Sequence, residues 1–249
     1  FPSDETAAQQ AYARAAVVQP LIRRPAKVQP APFRVLALYA PFGGNTPAEY
    51  LFRDATYDVN TLALIAGRDD DIAALAREAD LVVNLVSDPD QSAAMLPVAA
   101  QLIDRLGKPA LNDPRAVACT TREAVAERLA GIAGARVAKV LRCAAGGERT
   151  AAALLQGFPP AFPLLARPAG THGGDDFEKL ETPAELEAFA ERFAATDIYL
   201  IEYLDYRSAD GLHRKYRFIF VSEAVMPYHL AIDASWKLHH EKTDMAHHA

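Results

Sequence analysis

The chain has 249 residues, of which 51% are hydrophobic and 23% are charged, and its formal net charge at pH 7 is −6. These values are typical of a globular protein with one or two domains, and the acidic balance argues against a broad nucleic-acid-binding surface. The sequence has no apolar run of 18 residues, so we expect no membrane span. Cys119 and Cys143 are expected to be reduced thiols in a cytoplasmic protein.

The N-terminal segment divides into a helix and a proline-rich stretch. Residues 4–18 are rich in Ala, Glu and Gln, which favours a helix. The dense prolines that follow predict an irregular linker; they are Pro20, Pro25, Pro30 and Pro32. We interpret residues 1–32 as the tail of an upstream domain. Since the chain has no initiator methionine, we expect it to be a piece of a longer protein.

Residues 33–118 alternate between apolar runs of strand length and helical segments, which predicts a parallel sheet in a Rossmann-like α/β domain. The strands are expected at 33–40, 59–67 and 80–88, and the helices at 69–79 and 91–107. Residues 108–132 are expected to add a short strand, a turn and another helix. Gly43, Gly44 and Asn45 follow the first strand, at the edge where such sheets bind ligands. They are candidate substrate-binding residues.

Residues 119–249 have the pattern of an α+β domain. Strands are expected at 135–144, 162–169, 197–206 and 213–233, and helices at 148–158 and 182–196. Thr182, Pro183 and Glu185 form a start signal for the second helix, with Thr182 as N-cap. The last two strand segments are expected to pair through a turn at residues 208–211.

Three segments of this second domain carry candidate binding residues. Arg167 ends a buried strand and is followed by a loop with Gly170, Gly173 and Gly174. Such a loop could close over a phosphate chain, or it could be an exposed hairpin turn. Glu202 lies in an apolar strand, where it would hold adenosine or face the solvent. Lys215 and Arg217 are two residues apart and share a strand face, as a phosphate clamp or as a solvated edge.

The order of the segments "ARPAGTHGGDDFEKL", "YLIEYLDY" and "KYRFIFVSEAVMPYHLAI" resembles the ATP-grasp family. The resemblance implies a Rossmann-like domain before an incomplete ATP-grasp domain, with ATP and Mg²⁺ as cofactors. It implies phosphate contacts from Arg167, where the family usually has Lys, and from the loop residues Thr171 and His172 beside the glycines. The hinge for adenine and ribose would be formed by Glu202, Tyr203 and Leu204.

The resemblance also implies a reaction. A carboxylate of a small-molecule or peptide substrate would be phosphorylated to an acylphosphate, which an amine or thiol then attacks. Lys215 and Arg217 would be catalytic, and a further ATP-binding cation would be Lys139 or Arg122. The metal ligands are expected beyond the chain, with Asp233 as a weak candidate inside it.

Other functions are consistent with the same segments. A small-molecule kinase would use the same nucleotide site with a hydroxyl acceptor. A non-catalytic nucleotide-binding or interaction module would bind ATP without turnover. The sequence "APFGGNTP" lacks the G-x-G-x-x-G pattern, which argues against a dehydrogenase. The C-terminal histidines suggest a metal site or an irregular terminus; they are His239, His240, His247 and His248.

Overall fold

The computed structural model describes residues 5–41, 43–158 and 162–238. It divides into two compact units, Phe1–Val125 and Ala126–Ala249. The boundary falls seven residues later than the sequence suggests, within a helix over residues 122–130. In the described ranges, no helix is long and apolar enough to cross a membrane.

The described part of the first unit contains a five-stranded sheet in the order β1-β3-β2-β4-β5. Its strands are β1 (Leu21–Arg24), β2 (Arg34–Tyr39), β3 (Asp58–Ala63), β4 (Leu81–Asn84) and β5 (Ala110–Leu111). The pairs β2–β3, β2–β4 and β4–β5 are parallel, as predicted from the alternating pattern. Because β2 pairs with β3 on one side and with β4 on the other, the order of the strands reverses at β2.

Helices cover both faces of this sheet, which explains the almost continuously apolar strands. In chain order, the described helices up to residue 130 are α1 (Glu5–Val18), α2 (Ala48–Phe52), α3 (Ile72–Arg77), α4 (Met95–Leu106), α5 (Pro114–Ala118) and α6 (Arg122–Ala130), of which α6 crosses the boundary between the units and buries none of its residues. Leu36 and Leu38 pack in a core with residues of α3 and α4, whereas Val35 and Ala37 pack in a second core with Phe52 of α2. Helix α4 ends at Gly107, where a φ of 60° suits the residue expected to stop it.

The proline-rich segment is more regular than predicted. Leu21–Arg24 forms β1, an edge strand that pairs antiparallel with β3. The backbone nitrogen of Ala63 donates to the Pro20 carbonyl at 3.0 Å, and that of Ala26 donates to the Asp58 carboxylate at 2.8 Å. Prolines flank the strand without interrupting it, and an edge strand tolerates them there. Part of the predicted linker is therefore a strand of the first unit.

The described residues of the second unit form a four-stranded antiparallel sheet in the order β6-β9-β7-β8, and a separate two-stranded ribbon, β10-β11. The strands are β6 (Val140–Cys143), β7 (Leu164–Pro168), β8 (Glu178–Leu180), β9 (Ile198–Glu202), β10 (His213–Val221) and β11 (Ala224–Asp233). The two helices are α7 (Ala151–Leu154) and α8 (Pro183–Arg192). One face of the antiparallel sheet packs on them through Leu164, Ala166 and Leu200.

The helix start and the hairpin predicted for this unit have different outcomes. The Thr182 hydroxyl accepts from the Glu185 backbone at 3.3 Å, so the predicted N-cap is confirmed. The predicted hairpin of residues 197–206 with 213–233 is wrong. Strand β9 instead lies between β6 and β7, and β10 turns back onto β11 at Ser222 and Glu223. The two segments are neighbours in sequence, which suggested that they pair, but β9 forms its hydrogen bonds with β6 and β7 instead.

Candidate nucleotide site

The glycine-containing segment is the loop of a β-hairpin. Residues 169–177, here called the flap loop, join β7 to β8, which pair from Leu164 with Leu180 to Ala166 with Glu178. Gly170, Gly173 and Gly174 have φ values of 74°, 61° and 82°, a region that other residues avoid. The loop is thus a hairpin connection whose backbone path needs its glycines. This is consistent both with a loop that closes over phosphates and with an exposed hairpin turn.

The side chain of Arg167 supports the flap loop through hydrogen bonds to Thr171. The side chain is only 7% exposed, and its Nε and Nη2 donate to the Thr171 hydroxyl at 3.1 and 2.8 Å. Nη2 also donates to the Thr171 carbonyl. The guanidinium lies 5.5 Å from the centre of the Phe177 ring, at the other end of the loop. Arg167 and Thr171, two of the predicted phosphate-contacting residues, thus lie in contact with each other, and the loop positions the arginine that supports it.

The segment after β11 holds the other side of the flap loop. Lys237 Nζ donates to the Phe177 carbonyl at 2.8 Å, and its Cε would lie 3.3 Å from a Cβ placed on Gly174. The Trp236 ring packs edge-on against Phe177 with 5.4 Å between centroids. Neither residue could be found from the sequence, because the contact joins positions 60 residues apart.

Replacing Lys237 with methionine should loosen the flap loop, because the stem is kept while the hydrogen bond to Phe177 is lost. We expect amide hydrogen exchange in residues 169–177 to become about five-fold faster, in keeping with a net hydrogen-bond contribution of about 1 kcal/mol. Lys237→Arg, which keeps a donor, is the matched control. Unchanged exchange in the methionine variant would show that the contact does not hold the loop.

The sheet face opposite the helices carries cationic side chains. The register places Arg142 beside Tyr199, Tyr199 beside Arg167, and Leu165, two residues from Arg167, beside Lys179. Residues directly opposite each other share a face, so Arg142, Arg167 and Lys179 lie on one face, here called the cationic face. Arg142 and Lys179 were not predicted from the sequence, because the pairing of β6 and β8 decides which face of the sheet they lie on.

Asp197 fixes Arg142 at one end of the cationic face. Its carboxylate accepts from the Ala145 backbone and from Arg142 Nε, both at 2.8 Å, and these bonds lower the pKa of Asp197. Arg142 Nη1 donates to the Tyr199 hydroxyl at 3.2 Å, and Tyr199 is fully buried. Arg142 and Tyr199 are therefore held in defined positions beside Arg167 on the cationic face.

The lowered pKa of Asp197 makes a pH-dependent contribution to stability. The carboxylate stabilises the fold above its unfolded-state pKa, and this stabilisation is lost as pH falls through the lower folded-state value. Asp197→Asn should cost about 1–2 kcal/mol of unfolding free energy at pH 7, and the gap from wild type should close below about pH 4. Chemical denaturation of both proteins at a series of pH values measures this difference in unfolding free energy. A difference that does not change with pH would contradict the prediction.

Glu202 and Lys139 meet at the opposite end of β9. The Glu202 backbone nitrogen donates to the Lys139 carbonyl at 2.9 Å, and Glu202 Oε2 accepts from the Lys139 backbone nitrogen at 3.1 Å. Lys179 Nζ lies 4.5 Å from the Tyr203 ring centre. Glu202, Tyr203 and Leu204 are all half-buried. Of the two candidate cations, Lys139 is thus beside the predicted hinge, whereas Arg122 belongs to the first unit.

Lys215 and Arg217 are exposed neighbours on β10, opposite Ala231 and His229 of β11. Their spacing places them on one face, as predicted. Partial desolvation and the charge of Arg217 lower the pKa of Lys215. They lie on the ribbon, a different sheet from Arg167 and Glu202.

No family model matches the chain, and no curated protein matches its sequence. Several solved structures share its fold. A D-Ala:D-Ser ligase from Enterococcus faecalis is 16% identical, with a TM-score of 0.50 over 80% of this chain and 69% of that one. N5-carboxyaminoimidazole synthetase from Staphylococcus aureus, complexed with ADP, is 12% identical, with a TM-score of 0.51 over 83% of this chain and 56% of that one.

A third match is carboxyaminoimidazole ribonucleotide synthase from Aspergillus clavatus, complexed with ATP, at 13% identity and a TM-score of 0.50 over 80% of this chain. These neighbours are ATP-grasp proteins. The chain has the ATP-grasp fold. It spans 54% of the Aspergillus protein.

The ATP-grasp resemblance implies Mg²⁺, which prefers oxygen ligands. Among the residues that the structure describes, no three His, Cys, Asp or Glu side chains lie close enough to hold a metal ion. Asp233, the candidate inside the chain, accepts from the Ser235 backbone at 2.7 Å. The described residues therefore form no all-protein cage for a metal ion, whereas Mg²⁺ usually needs only one or two carboxylates beside substrate phosphates. The C-terminal histidines considered above, residues 239, 240, 247 and 248, lie outside the described ranges.

The predicted substrate residues of the first unit stabilise its loops. Asn45 Oδ1 accepts from the Ala40 backbone and Nδ2 donates to the Ala40 carbonyl, both at 2.8 Å. The Gly44 carbonyl accepts from the Ser87 and Asp88 nitrogens, and the Gly43 carbonyl accepts from Ser92 Oγ. The side chain of Asn45 thus closes its own turn, and this loop is tied to the one after β4.

Proposed function

We propose that the second unit binds ATP, with the phosphates between the flap loop and the cationic face and the adenosine at Glu202, Tyr203 and Leu204. The observation that carries this proposal is the pairing of Arg167 with the flap loop on a face that also holds Arg142 and Lys179. Backbone amides of a glycine-containing loop and nearby cations suit a polyphosphate. Two proteins of this fold, the Staphylococcus synthetase with ADP and the Aspergillus synthase with ATP, support it.

The proposed reaction is ATP-dependent ligation. A substrate carboxylate oxygen would attack the γ-phosphorus and release ADP, and an amine or thiol would then attack the acyl carbon and release phosphate. Arg167, Lys139, Lys215 and Arg217 would neutralise the transferred phosphoryl group and orient it, which is how such sites accelerate the reaction. The substrate would be a small molecule or a peptide, and the Rossmann-like first unit would contribute to holding it. Mg²⁺ stays a prediction.

Calorimetric titration of the chain with ATP, and separately with AMP, tests the binding step. We expect ATP to bind at least ten-fold more tightly than AMP, because the cationic face would contact the β- and γ-phosphates. Added salt should narrow this difference, since it screens charge. Equal affinities, or no ATP binding by the folded chain, would contradict the proposal.

Product analysis separates ligation from the kinase alternative. Turnover that releases ADP and phosphate together with a new amide or thioester indicates a ligase. Turnover that releases ADP and leaves a phosphorylated product without free phosphate indicates a kinase. ATP binding with no turnover under either assay would favour the non-catalytic module.

A further inference from the structure

A cavity of about 310 Å³ opens at the carboxyl edge of the first unit's parallel strands. Its lining comes from the segments that follow β2, β3 and β4, together with the end of α1. This is the edge at which open α/β sheets bind ligands. All of its lining residues belong to the first unit.

The chemistry of the lining is strongly apolar. Leu64, Ile65 and Met95 supply large side chains, and Ala16 and Val17 of α1 form one wall. Gln91 and Ser92 lie at the Gly43 side, where Ser92 Oγ donates to the Gly43 carbonyl at 2.9 Å. Within the part of the chain that the structure describes, no charged side chain lines the cavity. Phosphate and carboxylate groups would find no counter-charge there.

Helix α1 is fixed at this edge by contacts with the sheet. Burial of the Tyr12 hydroxyl, followed by its hydrogen bond to Tyr39, the last residue of β2, raises the pKa of Tyr12. Ala16 is 5% exposed, whereas Val17 is 61% exposed although it lines the cavity. One side of the helix end therefore forms a wall while the cavity stays open to solvent.

We propose that this cavity binds the apolar end of a small molecule, a branched alkyl chain or a single ring, with any charged group left in solvent. An apolar protein cavity of about 150 Å³ is enough to admit benzene, so the volume here suffices for a ring with a short chain. The apolar lining selects this end of the molecule. The proposal does not rest on nucleotide binding in the second unit.

Methyl-labelled methionine reports on the cavity directly. The probes are 3-phenylpropionate and 4-methylpentanoate, with glutarate as a ligand that has a charge at both ends. We expect the apolar probes to shift the NMR signal of Met95, which lines the cavity, and to leave Met226 on the ribbon unchanged. Glutarate should shift neither. No shift of Met95 at millimolar probe concentrations, or an equal shift of Met226, would overturn the proposal.

Two matched pairs of variants locate the binding. Val17→Asp places a charge in the wall, whereas Val18→Asp places it on the neighbouring residue, which is 85% exposed and outside the lining. Ala66→Phe fills the mouth, whereas Ala93→Phe changes an exposed alanine outside it. The first member of each pair should weaken probe binding at least ten-fold and the second should not. Equal effects within both pairs would overturn the proposal, and ATP titration of the same variants tests the second unit separately.

Discussion

Arg167→Ala should weaken ATP binding by about ten- to a hundred-fold. The guanidinium is nearly buried and holds Thr171 of the flap loop, so the change removes a cation beside the proposed phosphates and the brace of the loop that covers them. Hydrogen bonds to charged groups contribute about 1.5–3 kcal/mol each, which corresponds to this range of affinity. Calorimetry with ATP measures the change.

Two further variants separate the two roles of Arg167, its positive charge and its support of the flap loop. Thr171→Val removes the partner of Arg167 and keeps the cation, so it should cost less than the loss of the arginine. Arg192→Ala removes an arginine of α8 that bonds to Glu178 and lies over Phe189 and Phe193 in the helix layer. It should leave ATP affinity unchanged. If all three variants bind ATP like wild type, Arg167 does not contact the nucleotide.

Gly44→Ala should lower the free energy of unfolding by about 3 kcal/mol. The residue has a φ of +71°, which costs an L-amino acid about 1–2 kcal/mol. A Cβ there would lie 2.0 Å from Ser92 Oγ and 3.2 Å from Asp88 Cβ, and both residues are buried. The clash adds to the backbone cost, because the Ser92 hydroxyl bonds to Gly43 and the loops after β2 and β4 are tied together.

Gly67→Ala is the matched control for this prediction. Its φ of +74° is nearly the same, and a Cβ there would meet nothing within 4 Å. It should therefore cost only the backbone term, about 1–2 kcal/mol. Chemical denaturation followed by circular dichroism compares the two variants. A Gly44 variant no less stable than the Gly67 variant would show that the loop makes room for a side chain.

The secondary structure was largely predictable where one physical signal dominated. The apolar runs that became β2, β3 and β4 are buried on both faces, and such runs are typical of parallel strands. Strand β1 was not predicted, because it has only four residues and lies between Pro20 and Pro25. Its pairing with β3 depends on a segment distant in sequence, which the local pattern does not show. The same limit explains the wrong hairpin of β9 with β10, since pairing partners are set by the whole sheet.

The candidate site was predictable only in part. Arg167 and its flap loop are adjacent in sequence, so a strand followed by glycines was enough to indicate them. Arg142, Lys179 and Lys237 join the same region through strand register and a distant segment, which no local pattern encodes. Asn45 shows the opposite case. This polar residue lies at the edge of the sheet where ligands are expected, but its side chain is used by its own turn, and its contact with a substrate stays a prediction.

Amide hydrogen exchange with and without ATP shows which segment of the chain covers the nucleotide. If the second unit binds ATP under the flap loop, exchange in residues 169–177 and 202–204 should slow when ATP is added, and exchange in the first unit's loop at 43–45 should not change. This result would locate the nucleotide at the cationic face. ATP binding that leaves exchange in residues 169–177 as fast as before would exclude a nucleotide site under the flap loop, as would protection confined to the first unit.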